Sequence, residues 1–413
     1  MPTPVASCRL CRAPLPHAVI DLGATPLANA YLRQDDLGRV EAYYPLRAYL
    51  CEQCLLLQLE AVAAPESIFG HYAYFSSFSR TLLHHSEQFA NGIIDRLRLK
   101  PGAKLVEIAS NDGYLLQFFQ ARGLDVLGVE PARNIAAAAV ARGIPTVSRF
   151  FGTEVAAEIA LERGKPVLIV ANNVVAHVPD LNDFIGGVKV LLAPGGTLTL
   201  EFHHALCLVE QAQFDNIYHE HFQYFSLASA KNALAAHGMK IVDVEELPTQ
   251  GGSIRVYAAH AEDLSATVSP RVEAMLVREA QAGLENAETY RALAVRIAAI
   301  KLALLEFLVS AKQAGKSVVC FGAAAKGNTL LNYCGVHADL VDYAVDSSPH
   351  KQGLFLPGSR IPIHGPSRID ETRPDYVLIL PWNLCQEITA QMAGIREWGG
   401  QFVVAVPELR VLR

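Results

Sequence analysis

The chain has 413 residues, 51% of them hydrophobic and 18% charged. That length suits two to four domains at roughly 100–200 residues each, and the apolar fraction excludes disorder as the main state. The count of 35 Lys+Arg against 41 Asp+Glu leaves a formal charge of −6 with no basic block, which excludes a duplex-coating nucleic-acid binder.

The start, Met1-Pro-Thr-Pro-Val-Ala-Ser-Cys8, lacks the basic and apolar regions of a secretory signal. No run reaches the roughly 18 uninterrupted apolar residues of a membrane helix. The richest stretch, Val167 to Val178, is broken by Asn172, Asn173 and His177. The expectation is a cytoplasmic protein with no membrane and no nucleic-acid partner, and nothing in it demands more than a monomer.

Cys8, Cys11, Cys51 and Cys54 form two C-x2-C pairs. Without an export signal such thiols stay reduced, and two knuckles complete a tetrahedral four-thiolate shell. Every coordination position is then supplied by protein, so the zinc is structural. The long interval from Cys11 to Cys51 predicts an insertion between the knuckles. Cys207, Cys320, Cys334 and Cys385 stand singly in apolar contexts and read as core. His71-Tyr-Ala-Tyr-Phe-Ser-Ser77 is the first of three segments that carry more potential chemistry than their surroundings.

From Lys104 strand, turn and helix alternate. Strands are predicted at 104–109, 125–130, 166–172 and 195–202, and helices at 114–122, 133–142, 153–163 and 180–192, which implies a parallel sheet covered on both faces. Ligands of such sheets sit beyond the carboxyl ends of the strands. The Glu107–Gly113 turn lies there, and Glu130 follows at about the spacing where a carboxylate accepts from ribose hydroxyls. The turn lacks G-x-G-x-x-G, so a ribose-bearing cofactor without phosphates, such as S-adenosylmethionine, fits better than a dinucleotide. A strand-end carboxylate beside a turn glycine is also compatible with no ligand.

Two further segments concentrate chemistry: Asn172–Pro179, with His177 just past a strand end, and Tyr218-His-Glu-His-Phe-Gln-Tyr-Phe-Ser226. Extended backbone sets Tyr218 and Glu220 on one side and His219 and His221 on the other, whereas a helical turn gathers Tyr218 with His221. His177, His219, Glu220 and His221 read either as metal ligands, although H-E-H lacks the i, i+4 histidine pairing, or as proton-transfer groups. A single histidine in such a chain is more often structural.

Residues 239–259 predict antiparallel strands completing the sheet, and 271–314 a long helical tract bridging domains and ending at Gly315. Strand–turn–helix then restarts, with strands at 316–321, 340–345, 376–380 and 401–406 and a helix from Asn328. The loop Gly322-Ala-Ala-Ala-Lys-Gly327 suits an anion on backbone amides. Its Lys326 precedes the second glycine, which excludes a Walker motif. A nucleotide-sugar pyrophosphate with Lys326 as counter-charge is the better guest, in competition with glycines that merely pack helix on strand. Asp346 reads equally as a ribose contact or as a cap before Ser347 and Ser348.

Several blocks in one order resemble the sugar C-methyltransferases of deoxysugar pathways over essentially the whole chain. They are the four cysteines, Asp21-Leu-Gly-Ala-Thr-Pro-Leu-Ala-Asn29, Tyr74-Phe-Ser-Ser77, Val106-Glu-Ile-Ala-Ser-Asn-Asp-Gly113, Ala176-His-Val-Pro-Asp180, Tyr218-His-Glu-His221, Gly251-Gly-Ser-Ile-Arg255 and the Gly322–Asn328 loop. That family's turn usually carries glycine where Ala109 stands. The resemblance implies an α/β fold with a zinc-binding domain at 1–75, a class I (Rossmann-like) methyltransferase domain at 76–262, and a helical linker with a second Rossmann-like domain at 263–413.

It further implies S-adenosylmethionine as methyl donor, structural Zn2+, and transfer to C3 of a nucleotide-linked 4-keto sugar of dTDP or GDP type. His221 is similar to the base, with Tyr218, Glu220, His177 and Tyr72 around the reacting sugar. Glu107, Ala109, Asn111, Gly113 and Glu130 look like the cofactor pocket, with Asn173 near the methionyl end. Tyr74, Ser253, Arg255, Lys326, Asn328 and Asp346 fall on the substrate side. The chemistry is coherent: a sugar carbon becomes a nucleophile only when deprotonated, and a C4 ketone acidifies the C3 hydrogen. Histidine then suffices if donors stabilise the enolate oxygen. The competing functions are an O- or N-methyltransferase on the same sugars and a zinc-ribbon interaction protein that binds nucleotides without chemistry.

Overall fold

The computed structural model describes residues 6–60, 62, 76–78 and 80–412. The two cysteine knuckles close in the same way. Arg12 and Leu55, each following the second cysteine of its pair, take positive φ of 65° and 64°. Their amides donate to the carbonyls of Cys8 and Cys51. The first knuckle joins strands Ala6–Ser7 and Pro14–Leu15, and the second joins Tyr44–Leu50 to Leu57–Leu59. These last two strands belong to a four-stranded antiparallel sheet with Ile20–Thr25 on one edge and Gln223–Tyr224 on the other. The N-terminal sheet is therefore completed by residues from far along the chain.

The central sheet has seven strands in the order Met239–Leu247, Ser253–His260, Thr197–His203, Leu168–Asn172, Lys104–Ile108, Asp125–Val129 and Thr146–Val147. All neighbours from Thr197–His203 to Thr146–Val147 are parallel, and Ser253–His260 runs antiparallel to both of its neighbours. The period of two along a strand splits its side chains between two cores. Leu105, Leu168 and Val170 face Phe89, Ile93 and Phe119 of the helices Arg80–Leu97 and Leu116–Ala121. Val106, Ile169 and Ala171 face the opposite way, sharing a core with Val155, Phe184 and Leu234 and with Cys8, Cys51 and Leu56 of the knuckles. Burial on both sides explains the continuous apolar runs that mark these strands in the sequence.

The expected helical tract is two helices, Pro270–Gln281 and Ala287–Gln313, separated where Gly283 takes a φ of 74° and Asn286 caps the second. The second helix buries Tyr290, Leu293, Ile297, Ile300, Leu304 and Leu308, one stripe at three- and four-residue spacing. That stripe shares a core with Ile20 and Leu46 of the N-terminal sheet, Leu206 and Phe214 after the fifth parallel strand, and Val318 and Leu378 of the C-terminal sheet. The C-terminal sheet has six strands in the order Ile363–His364, Ala344–Val345, Val318–Phe321, Tyr376–Ile379, Gln401–Val404 and Arg410–Leu412, the last antiparallel. The strand expected at 340–345 is thus only its last two residues. Cys320 and Cys334 are core, as read, and Cys207 and Cys385 are half-buried.

One buried carboxylate ties three elements together. Glu279 accepts from His204 Nε2 and from the amides of Leu227 and Ala228, at the start of helix Leu227–Ala235. Both of its oxygens are engaged by groups that would otherwise lie unpaired at a strand end and a helix N-terminus. Replacing it strands a buried imidazole and two amides, so Glu279→Ala should cost about 3–5 kcal/mol. A melting temperature within one degree of wild type would contradict this.

Candidate active site

The four cysteine sulfurs lie within 4.8 Å of one another, with Cys8–Cys54 at 3.5 Å and Cys11–Cys51 at 3.4 Å. A tetrahedral zinc with bonds of about 2.3 Å sets its sulfurs about 3.8 Å apart, so this donor set fits a closed Zn2+ shell. Gln58 Nε2 supports it by donating to Cys8 Sγ at 3.2 Å. Among the described residues these four cysteines are the only group of this kind. His219, offered by the sequence as an alternative ligand beside His221, turns away to bond the Pro45 carbonyl and pack edge-on against Tyr44.

The cofactor turn follows the first parallel strand. Ala109, Asn111 and Gly113 have φ of 58°, 47° and 79°. Ala109 thus occupies the left-handed region where glycine is unstrained, a cost carried by this chain at the position where the resembling family has glycine. At Gly113 any Cβ would meet Ile144 Cγ1 at 2.8 Å. Glu130 holds the turn, its two oxygens accepting from the amides of Asn111 and Ala132. Glu107 is fully buried, and burial, then Glu130 and Asp112, pushes its carboxyl well above the usual range. Glu107 Oε2, Asp112 Oδ1 and Asn172 Oδ1 are buried without a protein partner, and Asn173 reaches a φ of 53° beside them. Unpaired polar atoms around a strained turn at the strand ends fit a bound nucleoside such as S-adenosylmethionine. Ser76 and Ser77 dock here, bonding Asn111 Oδ1 and Asp112 Oδ2. Tyr72 and Tyr74 lie outside the described residues.

A second polar centre sits where three stretches of chain meet. The Tyr218–His221 segment makes a tight turn, His221 N donating to Tyr218 O, so the gathered arrangement is the one formed. Tyr218 Oη lies 2.8 Å from His221 Nε2. His221 Nδ1 faces the Asn216 carbonyl at 2.9 Å, and His177 Nδ1 the Glu220 carbonyl at 2.9 Å. A carbonyl only accepts, so both Nδ1 atoms carry the proton and both Nε2 atoms a lone pair. The two rings are 4.7 Å apart, each part-exposed to a recess deep in the protein. Burial drives the His177 pKa down to about 4 and holds His221 well below the ordinary imidazole value, helped by His177. Burial pushes Glu220 up to about 7, against a hydrogen bond from Asn29 Nδ2 at 2.7 Å.

Other expected contacts have different partners. Arg255 lies in a buried ion pair with Glu201, its guanidinium 3.9 Å over the Phe89 ring, and Ser253 Oγ bonds the Thr249 carbonyl. Asp346 accepts from the amides of Ala323 and Ser348, and no helix begins at Ser347 or Ser348 for it to cap. Lys326 does not lie along the loop amides but turns inward and is buried. It bonds Asn383 Oδ1 at 2.9 Å and lies 4.9 Å over the Trp382 ring. Asn328 Nδ2 bonds the Ala28 carbonyl, and its Oδ1 is unpartnered. Residues missed by the sequence reading also line this centre: Asn29, His203, Gln213, Asp215, Tyr224 and Trp382. His203 ends a parallel strand, a position where a polar side chain alone is a signal; the rest carry none.

Three family profiles match in series: a zinc-binding domain over residues 8–69, a methyltransferase domain over 82–244, and a C-methyltransferase C-terminal domain over 248–407. The C-methyltransferase NovU of Streptomyces niveus is 37% identical over 409 residues, covering 99% of this chain and 97% of that one. Solved structures are similar over a smaller part. Magnesium protoporphyrin IX methyltransferase of Synechocystis with bound S-adenosylmethionine is 15% identical, spans 49% of this chain and 100% of that chain, and has a TM-score of 0.35. The glycopeptide N-methyltransferase MtfA is 14% identical, spans 42% of this chain and 94% of that chain, and has a TM-score of 0.34. The fold and the relatives together define an S-adenosylmethionine-dependent methyltransferase with a structural zinc site. The chain belongs to the C-methyltransferases that carry an N-terminal zinc-binding domain. None of its described helices is long and apolar enough to cross a membrane.

Two predictions follow from this geometry. The zinc knuckles anchor the stretch that delivers Asn29 to Glu220, so chelation should abolish turnover while S-adenosylmethionine affinity persists; activity that survives complete zinc loss would contradict this. The raised Glu220 pKa means the folded state holds that proton more tightly than the unfolded chain. Its stabilising contribution is complete below about pH 4.5 and is lost as pH rises through about 7. Glu220→Gln, neutral throughout, should therefore raise the melting temperature at pH 8 relative to wild type and not at pH 4.5.

Proposed function

We propose that this enzyme methylates C3 of a nucleotide-linked 4-keto deoxysugar through an enolate, with His221 as base. The observation that supports this most is the Tyr218–His221 pair, an uncharged imidazole whose Nε2 lone pair faces a phenol inside a recess screened from water. The cofactor supplies an electrophilic methyl group on a sulfonium.

His221 Nε2 takes the C3 proton, the C–H electron pair becomes the C3–C4 double bond, and the carbonyl pair moves onto O4. The Tyr218 hydroxyl, released from Nε2 as that atom is protonated, donates to the enolate oxygen. His177 is held close by, its ring 4.7 Å from that of His221. As the C3–CH3 bond forms from the enolate pair, the methyl–sulfur bond breaks with its pair left on sulfur as a neutral thioether, the ketone returns, and the imidazolium gives its proton to solvent. Uncharged imidazoles and a neutral Glu220 suit this sequence because the negative charge of the enolate is stabilised by aimed donors and not by mobile water. Lys326, turned toward this recess from the C-terminal domain, adds a cation on the substrate side. The substrate's nucleotide is the guest we place on the Gly322–Asn328 loop of the C-terminal domain.

His221→Ala should lower kcat by about 10²–10⁴-fold with S-adenosylmethionine affinity near wild type, checked by product formation and calorimetric titration. Near-normal turnover would remove His221 from the base role. The carbon position of the new methyl group, read by NMR of products from a panel of nucleotide-linked ketosugars, tests the site of transfer. Equal methylation of reduced, alcohol-bearing analogues would instead make oxygen the acceptor.

A further inference from the structure

His203 closes the fifth parallel strand, at the rim where ligands of such sheets bind. Its tautomer is fixed by its neighbour. Gln213 Nε2 donates to the Gly251 carbonyl at 2.7 Å, so the amide oxygen is the end that meets His203 Nε2. That oxygen only accepts, so His203 carries its proton on Nε2 and presents Nδ1 as a bare lone pair. Nδ1 is buried, and no protein group donates to it.

The wall continues through Gly251 to the C-terminal domain. A Cβ on Gly251 would stand 2.5 Å from Trp382, so only glycine lets the indole close here. Trp382 Nε1 donates to Asp215 Oδ2 at 2.6 Å, leaving Asp215 Oδ1 as a second buried, unpartnered acceptor. Lys326 Nζ lies over the same indole. Lys326 is near enough to His203 and to His221 to oppose protonation of both rings.

We propose that His203 Nδ1 accepts a hydrogen bond from a ring hydroxyl of the sugar, in a corner completed by Lys326 and Asp215. The inference rests on the nucleotide-sugar reading above and deepens it. The corner offers acceptors together with one cationic donor, so its guest must both give and take a hydrogen bond. A hydroxyl does. A carbonyl or phosphate oxygen has no hydrogen for Nδ1, an ammonium group is repelled by Lys326, and a deoxygenated carbon leaves buried acceptors unpaired. His203 is thus a specificity residue that favours hydroxyl-bearing ketosugars over deoxygenated ones.

The test uses full-length, zinc-loaded enzyme and dTDP-4-keto-6-deoxyglucose, which bears ring hydroxyls. Asparagine places its amide atoms near the position of Nδ1, and glutamine near that of Nε2. His203→Gln should raise KM for the sugar about tenfold, the loss of one hydrogen bond of ordinary strength, with kcat less affected and S-adenosylmethionine affinity unchanged. His203→Asn should restore KM to within about threefold of wild type. Equal KM values in wild type and His203→Gln, or an equal loss in both variants, would overturn the proposal. If a variant fails to fold, 15N-histidine-labelled wild type decides the matter. The His203 Nδ1 resonance should be that of a bare nitrogen and should move upfield as the sugar is added; no movement at saturation overturns it. Failure of the wild type to bind or methylate this sugar would count against the nucleotide-sugar reading itself, whereas an active wild type indifferent to His203 would sink this inference alone.

Discussion

The depth of His221 within the protein, and the desolvation that comes with it, is the constraint on which the site depends. In water an imidazole is partly protonated near neutrality and a carboxylate is ionised. Here desolvation pushes His177, His203 and His221 toward the bare base and Glu220 toward the neutral acid. Opposite shifts from one cause leave a centre that carries little charge of its own and is poised to stabilise a transient one. Three parts of the chain must close together to achieve it. Asn29 comes from the N-terminal region, the histidines from the methyltransferase sheet and the turn after it, and Lys326 and Trp382 from the C-terminal domain.

The zinc site serves that closure without touching the chemistry. Its knuckles pack into the same core as one face of the central sheet. Arg9, inside the first knuckle, donates to the Pro179 carbonyl just beyond His177. Asn182 donates to the carbonyls of Arg9 and Leu10, and Asn232 to that of Cys54. A metal with four fixed thiolates thus sets the position of the stretch after His177 and the start of the helix Leu181–Leu191 from the opposite side, a positioning role that a hydrophobic contact of the same size would perform less sharply.

Much of this was legible in the sequence, for identifiable reasons. The C-x2-C pairs encode their own geometry because two intervening residues bring both thiolates to one point. The parallel strands were visible because burial on both faces demands an unbroken apolar run, as at Leu168–Ala171. The long helical tract showed its stripe but not its break at Gly283, where a turn glycine and the Asn286 cap outweigh good helix formers on either side. The polar centre was legible only where chemistry clusters along the chain, as in Tyr218–His221. Asn29, Gln213 and Asp215 are ordinary polar residues whose importance arises from tertiary packing. Lys326 and Arg255 were visible as charges, but their directions were not: one turns into the recess, and the other is neutralised by Glu201 across the strand pair.

The strand Gln223–Tyr224 follows the Tyr218–His221 turn directly and zips onto Leu57–Leu59 as the outer edge of the N-terminal sheet. The ribbon that orients His221 is therefore itself a structural member of the metal-bearing lobe. A chimaera that grafts that lobe from one homologue onto the catalytic core of another would mismatch this seam, and its defect would surface as a misaimed imidazole in an otherwise well-folded hybrid. During synthesis, too, the first lobe cannot seal its edge until more than half of the polypeptide has left the ribosome.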